Sequence, residues 1–275
     1  MLRHPALIAC LLAVVPVFAG APAATRPAAV VAPGKAIAAA VADPRRAPAN
    51  RARDRYRHPA ETLAFFGVRP DMTVVEIWPG GGWYAEILAP LLKDRGHYIA
   101  AAQVPGRARE STEKLIAGDP ARFGKVTMTT FDPKAVSTIA PAGTADMVLT
   151  FRNVHNFLMA GDAAAAQAFA DFYKALKPGG VLGVVDHRLP ENRPGDAERK
   201  SGYLKRSTIV RLATTAGFKL AGESQVNANP RDPADWPDGV WTLPPVLRNG
   251  EKDRAKYLAI GESDRMTLKF VKPAR

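Results

Sequence analysis

The sequence predicts a doubly wound α/β domain, a mostly parallel sheet with helices on both faces. Three observations carry this. Short continuous apolar runs such as Thr73 to Ile77 and Ala145 to Thr150 read as strands buried on both sides. Segments with helical apolar spacing alternate with them. Three consecutive glycines, Gly80, Gly81 and Gly82, separate the first strand from the helix that follows. In such sheets ligands bind beyond the carboxyl ends of the strands, near the switch in strand order.

Taken in order, Pro59 to Val68 predicts a short helix whose apolar face is Leu63, Phe65 and Phe66. Thr73 to Ile77 is a β-branched strand, and Trp83 to Leu92 a helix through Ile87, Leu88, Leu91 and Leu92. His97 to Ala102 predicts the second strand and Arg107 to Ala117 a helix. Lys125 to Phe131 predicts the third strand, ended by Asp132-Pro133, and Ala145 to Thr150 the fourth. An Ala-rich helix over Asp162 to Leu176 stops at Lys177-Pro178-Gly179-Gly180. Val181 to Val185 is the fifth strand, Ser207 to Ala216 a helix, Phe218 to Val226 the sixth strand and Arg265 to Val271 the seventh. Right-handed crossovers give the default topology. The chemistry is therefore expected at residues 76–83, 103–107, 131–133, 151–157 and 186–190.

The 275 residues suffice for one ordinary domain and a terminal extension. With 47% hydrophobic and 23% charged residues the chain is neither disordered nor fibrous. Its formal charge is +12, from 38 Lys+Arg against 26 Asp+Glu, which permits an acidic partner without naming one. Cys10 is the sole cysteine, so neither an internal disulfide framework nor a cysteine metal site is available.

Residues 1–24 have the layout of a secretory signal peptide: Arg3, an apolar run from Ala6 to Ala19, then small residues. An uncleaved membrane anchor and a lipoprotein at Cys10 are the other readings of this segment. Residues 25–50 read as an Ala/Pro-rich linker, and 51–275 as the α/β domain. The basic run from Arg45 to Arg57 reads as a solvated arm or helix face, with a specific anion site as the other possibility. It lacks the interleaved aromatics of a nucleic-acid surface, so no nucleic acid is expected. The expected partner is a small-molecule substrate, and membrane contact is expected only through an uncleaved N-terminal segment. Composition leaves the oligomeric state open. The layout points to an exported, periplasmic protein.

The strongest local signal is Val74-Val75-Glu76-Ile77-Trp78-Pro79-Gly80-Gly81-Gly82-Trp83. Glycines at this turn let the backbone approach a ligand, and the helix start adds N–H donors. Glu76 can accept from an amine or a hydroxyl. A tight turn holding no ligand is the other reading. This segment resembles motif I of the class I S-adenosylmethionine-dependent methyltransferases, an acidic residue followed by G-x-G-x-G. Glu76 takes the acidic position, Gly80 and Gly82 the second and third glycines, and Trp78 stands where the first is expected.

Further segments are similar to the same family: Ala145 to Leu149 to its fourth strand, Phe151 to Phe157 to the loop after it, Leu176 to Leu182 to its turn into strand five, and Ala216-Gly217-Phe218 to its approach to strand six. The tail, with Trp241-Thr242-Leu243-Pro244-Pro245 and Ile260 to Arg265, resembles a bacterial group of predicted, often exported, methyltransferases. The resemblance implies a Rossmann-like methyltransferase sheet in a single domain and S-adenosyl-L-methionine as cofactor. It implies cofactor binding by Glu76, Gly80, Gly81 and Gly82, by Asp132 against the adenine amino group, and by Gln103 at the position where an acid usually grips the ribose hydroxyls. Arg152 and Asn153 would orient cofactor or substrate.

His155, on the loop after strand four, is the best candidate general base, since histidine is suited to proton transfer near neutrality. Asp186 and His187 end strand five and are candidates for a substrate-side role. Tyr56 and Tyr203 would close the pocket or simply pack, and Trp236 and Trp241 suggest a structured loop above it. The five histidines show no close ligand spacing, so no metal is expected. Two other functions stay open. One is a non-catalytic ligand- or partner-binding module of the same fold. The other is an NADP-dependent oxidoreductase, because Gly80 to Ala85 also fits G-x-G-x-x-G/A and Arg107 or Arg109 could meet a 2′-phosphate.

Overall fold

A computed structural model describes Met1 and residues 34–274. Apart from Met1, the signal-peptide reading lies outside the described residues, as does the first part of the linker. The helices are α1 (Lys35–Ala42), α2 (Pro48–Arg51), α3 (Asp54–Arg57), α4 (Pro59–Phe66), α5 (Ala85–Leu92), α6 (Arg107–Gly118), α7 (Pro120–Phe123), α8 (Val154–Ala160), α9 (Asp162–Ala175), α10 (Arg206–Thr215) and α11 (Arg254–Ile260). The strands are β1 (Thr73–Ile77), β2 (His97–Ala102), β3 (Thr127–Thr130), β4 (Ala145–Phe151), β5 (Leu176–Leu189), β6 (Leu204–Lys205), β7 (Lys219–Ser224) and β8 (Arg265–Val271). No helix among the described residues is long and apolar enough to cross a membrane.

The sheet order is β3-β2-β1-β4-β5-β8-β7, with the two-residue β6 paired off this path to β5. The pairs from β3 to β5 are parallel; β8 runs antiparallel between β5 and β7. The order reverses between β1 and β4, which makes that boundary the switch point. Register then fixes the site. Ile77 pairs with Thr150, and Thr150 with Val184, so β1 and β4 end at about one level while β5 runs on beside them to Leu189. Trp78 and Arg152, just past the ends of β1 and β4, and Asp186, inside β5 one residue beyond the partner of Phe151, are thereby brought to one rim.

Two apolar layers cover the sheet. One includes Val75, Val148, Phe157, Phe169 and Phe172; the other includes Val74, Leu88, Met147, Leu149 and Phe66. Each strand sends alternate residues to opposite faces, which is why continuous apolar runs were needed.

Three expectations are corrected. The linker reading fails from Lys35 onward, because α1 packs Ile37 into the second apolar layer. Its Ala-rich face buries little area per residue and so resembles a linker in composition. The solvated-arm reading fails within Arg45 to Arg57. Arg46 is wholly buried, donating from Nη1 and Nη2 to Asp54 Oδ2 and Oδ1 at 2.7 and 2.8 Å and from Nη1 to the Val41 carbonyl at 2.7 Å. Its guanidinium also lies over the Trp83 ring, 5.3 Å from the centroid. Finally, the loop expected at 151–157 becomes α8 from Val154, while β5 extends four residues past Val185 to Leu189.

Candidate functional site

A cavity of about 400 Å³ opens above the switch point. The ends of β1, β4 and β5 form its floor. The segment from Asn50 to Arg57 forms one wall, and Trp241 with Pro244 and Pro245 another. The N-terminal wall is tied down by named bonds. Trp83 Nε1 donates to the Asn50 carbonyl at 3.0 Å, the Ala47 amide donates to the Glu86 carboxylate, and Arg122 donates to the carbonyls of Arg45 and Glu86.

The glycine turn is partly open. A Cβ added at Gly81 would meet nothing within 4 Å, and one at Gly80 would meet only the Trp78 carbonyl at that limit. Both residues line the cavity. Gly80 and Gly82 both hold positive φ, 57 and 81, but Gly82 differs in that the Leu115 side chain fills the space of its missing Cβ and it does not line the cavity. Gly82 shapes the turn, while Gly80 and Gly81 leave room for a ligand.

Glu76 lies in the cavity floor and is almost fully buried. Its Oε2 accepts from the Tyr98 hydroxyl at 2.6 Å. Burial pushes its carboxyl up to about 7, against the lowering effect of that hydrogen bond. Gln103 also lines the cavity, and its Oε1 is buried with no partner among the described residues. Asn153 lines it too, but its Nδ2 donates to the Ile77 carbonyl at 2.8 Å and so ties β4 to β1.

Asp132 does not line the cavity. Its Oδ1 accepts from the Lys134 amide at 2.9 Å, a local turn. The indole of Trp78 walls the cavity on this side; Nε1 donates to the Phe131 carbonyl at 3.0 Å, and the ring packs on Phe131 and edge-on to Phe157. Trp78 holds φ 50, a conformation that costs a residue bearing a Cβ.

His155 and His187 both line the cavity, their ring centroids 5.1 Å apart. Asp186, fully buried, accepts through Oδ1 from His155 Nδ1 at 2.8 Å and from the His187 amide at 2.8 Å. Its Oδ2 accepts from the His155 amide at 3.2 Å. In the neutral ring this carboxylate selects the tautomer with the proton on Nδ1 of His155, whose Nε2 then carries the lone pair. His187 Nδ1 lies 2.5 Å from Ser263 Oγ. Burial, reinforced by the nearby guanidinium groups of Arg152, Arg265 and Arg57, drives the His187 pKa well below its ordinary value, so this ring is neutral.

Ligand atoms of His155, Asp186 and His187 lie within 4.8 Å of one another, a juxtaposition absent from the sequence spacing. The distances would admit a cation. The hydrogen bonds already made by Asp186 and the nearby guanidinium groups weigh against one.

Two tyrosines settle as packing residues. Tyr203 is fully buried with its hydroxyl donating to Asp232, and Tyr56 does not line the cavity. Trp241 lines it, whereas Trp236 donates to Asp232 and packs on Tyr257. Arg107 and Arg109 do not line it, so the 2′-phosphate contact invoked for the oxidoreductase reading is not at this cavity. The residues that went unassigned in the sequence are Arg53 and Arg57, hidden in a basic run, and Glu262 and Ser263, whose segment Ile260 to Arg265 stood out only by resemblance.

No family model matches this sequence, and no curated protein is significantly similar to it. Solved structures do match in shape. The crystal structure of a SAM-dependent methyltransferase from Aquifex aeolicus superposes with TM-score 0.55 at 14% identity, covering 80% of this chain and 93% of that one. An arsenic(III) S-adenosylmethionine methyltransferase from Chlamydomonas reinhardtii gives 0.51 at 15% identity, covering 88% and 74%. The fold is that of the class I methyltransferases. The [4+2]-cyclase SpnF also shares it, with TM-score 0.52 at 14% identity over 82% of each chain. The class I fold thus carries more than one chemistry, and function rests on the site.

Proposed function

We propose that this protein transfers a methyl group from S-adenosyl-L-methionine to a small-molecule acceptor. One juxtaposition carries the reading. A glycine turn with open space at Gly80 and Gly81, flanked by buried Glu76 and the unpartnered Oε1 of Gln103, shares a cavity with the His155–Asp186 pair. The shared fold of solved methyltransferases supports it.

The residues present fit this cofactor at the turn. Gly80 and Gly81 would take its amino-acid portion, Glu76 would accept from its ammonium group, and Gln103 Oε1 from a ribose hydroxyl. At the adenine end the fit departs from the family pattern, with the Trp78 ring in place of an Asp132 contact. Bound there, the cofactor would supply an electrophilic sulfonium methyl. The protein's own part is to hold the acceptor in line and to take its proton at His155 Nε2. Asp186 orients the ring and stabilises the imidazolium that results.

The Trp78 wall and the outward role of Asp132 favour a second reading, a ligand-binding module of this fold without turnover. Calorimetric titration of the purified protein with S-adenosylmethionine, followed by assay for S-adenosylhomocysteine across an acceptor panel, separates the two. Saturable binding with product formation supports transfer. Binding without product across the panel supports the module. No binding at millimolar cofactor overturns the transfer reading and leaves a module for another ligand.

A further inference from the structure

Three guanidinium groups meet on this cavity with too little carboxylate to balance them. Arg53 and Arg57 enter from the N-terminal wall and Arg152 from the end of β4. Glu262 serves several cations at once: Arg53 Nε at 2.6 Å, Arg57 Nε at 3.1 Å and Arg265 Nη2 at 3.1 Å. Arg265 is also satisfied by the carbonyls of Tyr56 and Ser263. Asp186 is engaged by His155.

What remains is unpaired donor capacity. Among the described residues Nη2 of Arg53 and Nη2 of Arg57 are buried with no hydrogen-bond partner; the Arg57 guanidinium, only 4% exposed, lies over the Trp83 ring, 4.8 Å from its centroid, a contact that uses none of its N–H groups. Among the described residues no hydrogen bond or salt bridge reaches the Arg152 guanidinium. Arg152 also holds φ 61, a left-handed conformation that the fold retains by donating its amide to the Val185 carbonyl at 2.7 Å. Burial, with repulsion from Arg265 and Arg53 against attraction from Glu262 and Asp186, lowers Arg152 to about 10, so it stays protonated at neutral pH.

Buried charge is costly unless it is paired. Arg57 is buried and Arg53 and Arg152 are part-exposed at the cavity, and three such groups on one wall, one of them on a left-handed backbone, call for an anion. The guanidinium fork matches two oxygens of a carboxylate or phosphate. Across the cavity, Trp241, Pro244 and Pro245 offer an apolar and aromatic wall. The Trp241 ring centroid is 6.4 Å from that of His155.

We propose that the methyl acceptor is an oxyanion, a carboxylate or phosphate on an apolar frame, seated on Arg53, Arg57 and Arg152 with its reacting atom towards His155. The proposal rests on the methyl-transfer reading for the word acceptor; the anion seat itself does not. A second source of the same chemistry is the carboxylate of the cofactor.

The test is calorimetric titration of the full chain with benzoate and with inorganic phosphate, alone and with saturating S-adenosylhomocysteine. The expected result is saturable binding of at least one anion, undiminished by S-adenosylhomocysteine. Arg152→Met should weaken it at least tenfold with the melting temperature held, and Arg152→Lys, which keeps charge but not the fork, should weaken it less. Arg53→Met, at a partly exposed position, gives an independent variant and should also weaken it. Absence of saturable binding by either anion, or binding indifferent to both Met variants, overturns the proposal. Competition by S-adenosylhomocysteine overturns the acceptor assignment and gives the arginines to the cofactor's carboxylate. If S-adenosylhomocysteine fails to bind while the anion still binds through Arg152, the methyl-transfer reading falls and the anion seat stands.

Discussion

His155 donates from Nδ1 to Oδ1 of the fully buried Asp186 at 2.8 Å, and the same oxygen accepts from the amide of His187. One carboxylate thus sets the tautomer of one cavity imidazole and holds the backbone of the other. A long-range proton–nitrogen correlation spectrum should show His155 protonated at Nδ1 in the resting protein. Asp186→Asn should mix the tautomers, because an amide can present either a donor or an acceptor. His155→Ala and Asp186→Asn should each lower turnover about 10²–10⁴-fold while cofactor affinity changes little. Equal loss of cofactor affinity in both would place the pair on the cofactor side instead.

Gly81 and Gly82 should separate ligand binding from folding. Gly81→Ala meets open space and leaves the melting temperature in place, but fills ground next to the proposed ligand, so cofactor affinity falls. Gly82→Ala collides with Leu115 at φ 81 and should lower stability. Thermal melts beside titrations read both effects. Unchanged affinity in Gly81→Ala would remove the turn from the site.

Glu76 gives a pH signature with a definite sign. Its folded pKa, about 7, lies above the ordinary 4.5. The native state therefore binds the extra proton, and the stabilisation this gives is complete below about 4.5 and is lost as pH rises through about 7. Ionised Glu76 then costs on the order of 3 kcal/mol at pH 8. Glu76→Gln should raise the melting temperature at pH 8 and change it little at pH 5, while weakening cofactor binding. In wild type, binding an ammonium-bearing ligand at pH 6.5 should release a proton, seen as a buffer-dependent heat. A variant destabilised at pH 8 would contradict this account of the buried carboxyl.

Arg46 and Asp54 pin the wall that carries Arg53 and Arg57. Asp54→Asn leaves the wholly buried guanidinium short of a counter-charge, a change of about 3 kcal/mol in comparable buried pairs. Hydrogen exchange should rise first across residues 45–57, and anion affinity should fall with it. Faster exchange confined to other segments would contradict a local role.

The sheet was legible because its strands must be apolar on both faces. Thr73–Ile77, His97–Ala102 and Arg265–Val271 match their expected bounds, and the glycine turn falls at the switch point. The N-terminal wall was not legible. An Ala-rich α1 has the composition of a linker, and Arg46 and Arg57 sit in a run of charges that normally stays in water. Their burial depends on Asp54 and Glu262, the latter more than two hundred residues along the chain from Arg57. Pairing at that separation leaves no local pattern. His155, Asp186 and His187 were legible singly, by their places after β4 and in β5. Their mutual bonds depend on the register between those strands. Asp132 lies outside the cavity lining, where the side chain of Trp78, whose direction no motif specifies, forms the wall.

The central claim is that Gly80 and Gly81, with Glu76 and Gln103, cradle a nucleoside amino acid beside His155. A crystal structure grown with S-adenosylhomocysteine tests it most directly. Continuous density along Gly80–Gly81, with the ammonium on Glu76 and a ribose hydroxyl on Gln103 Oε1, is the predicted result. A crystal that binds the compound elsewhere, or leaves the cradle filled by the Trp78 ring at saturating concentration, contradicts it.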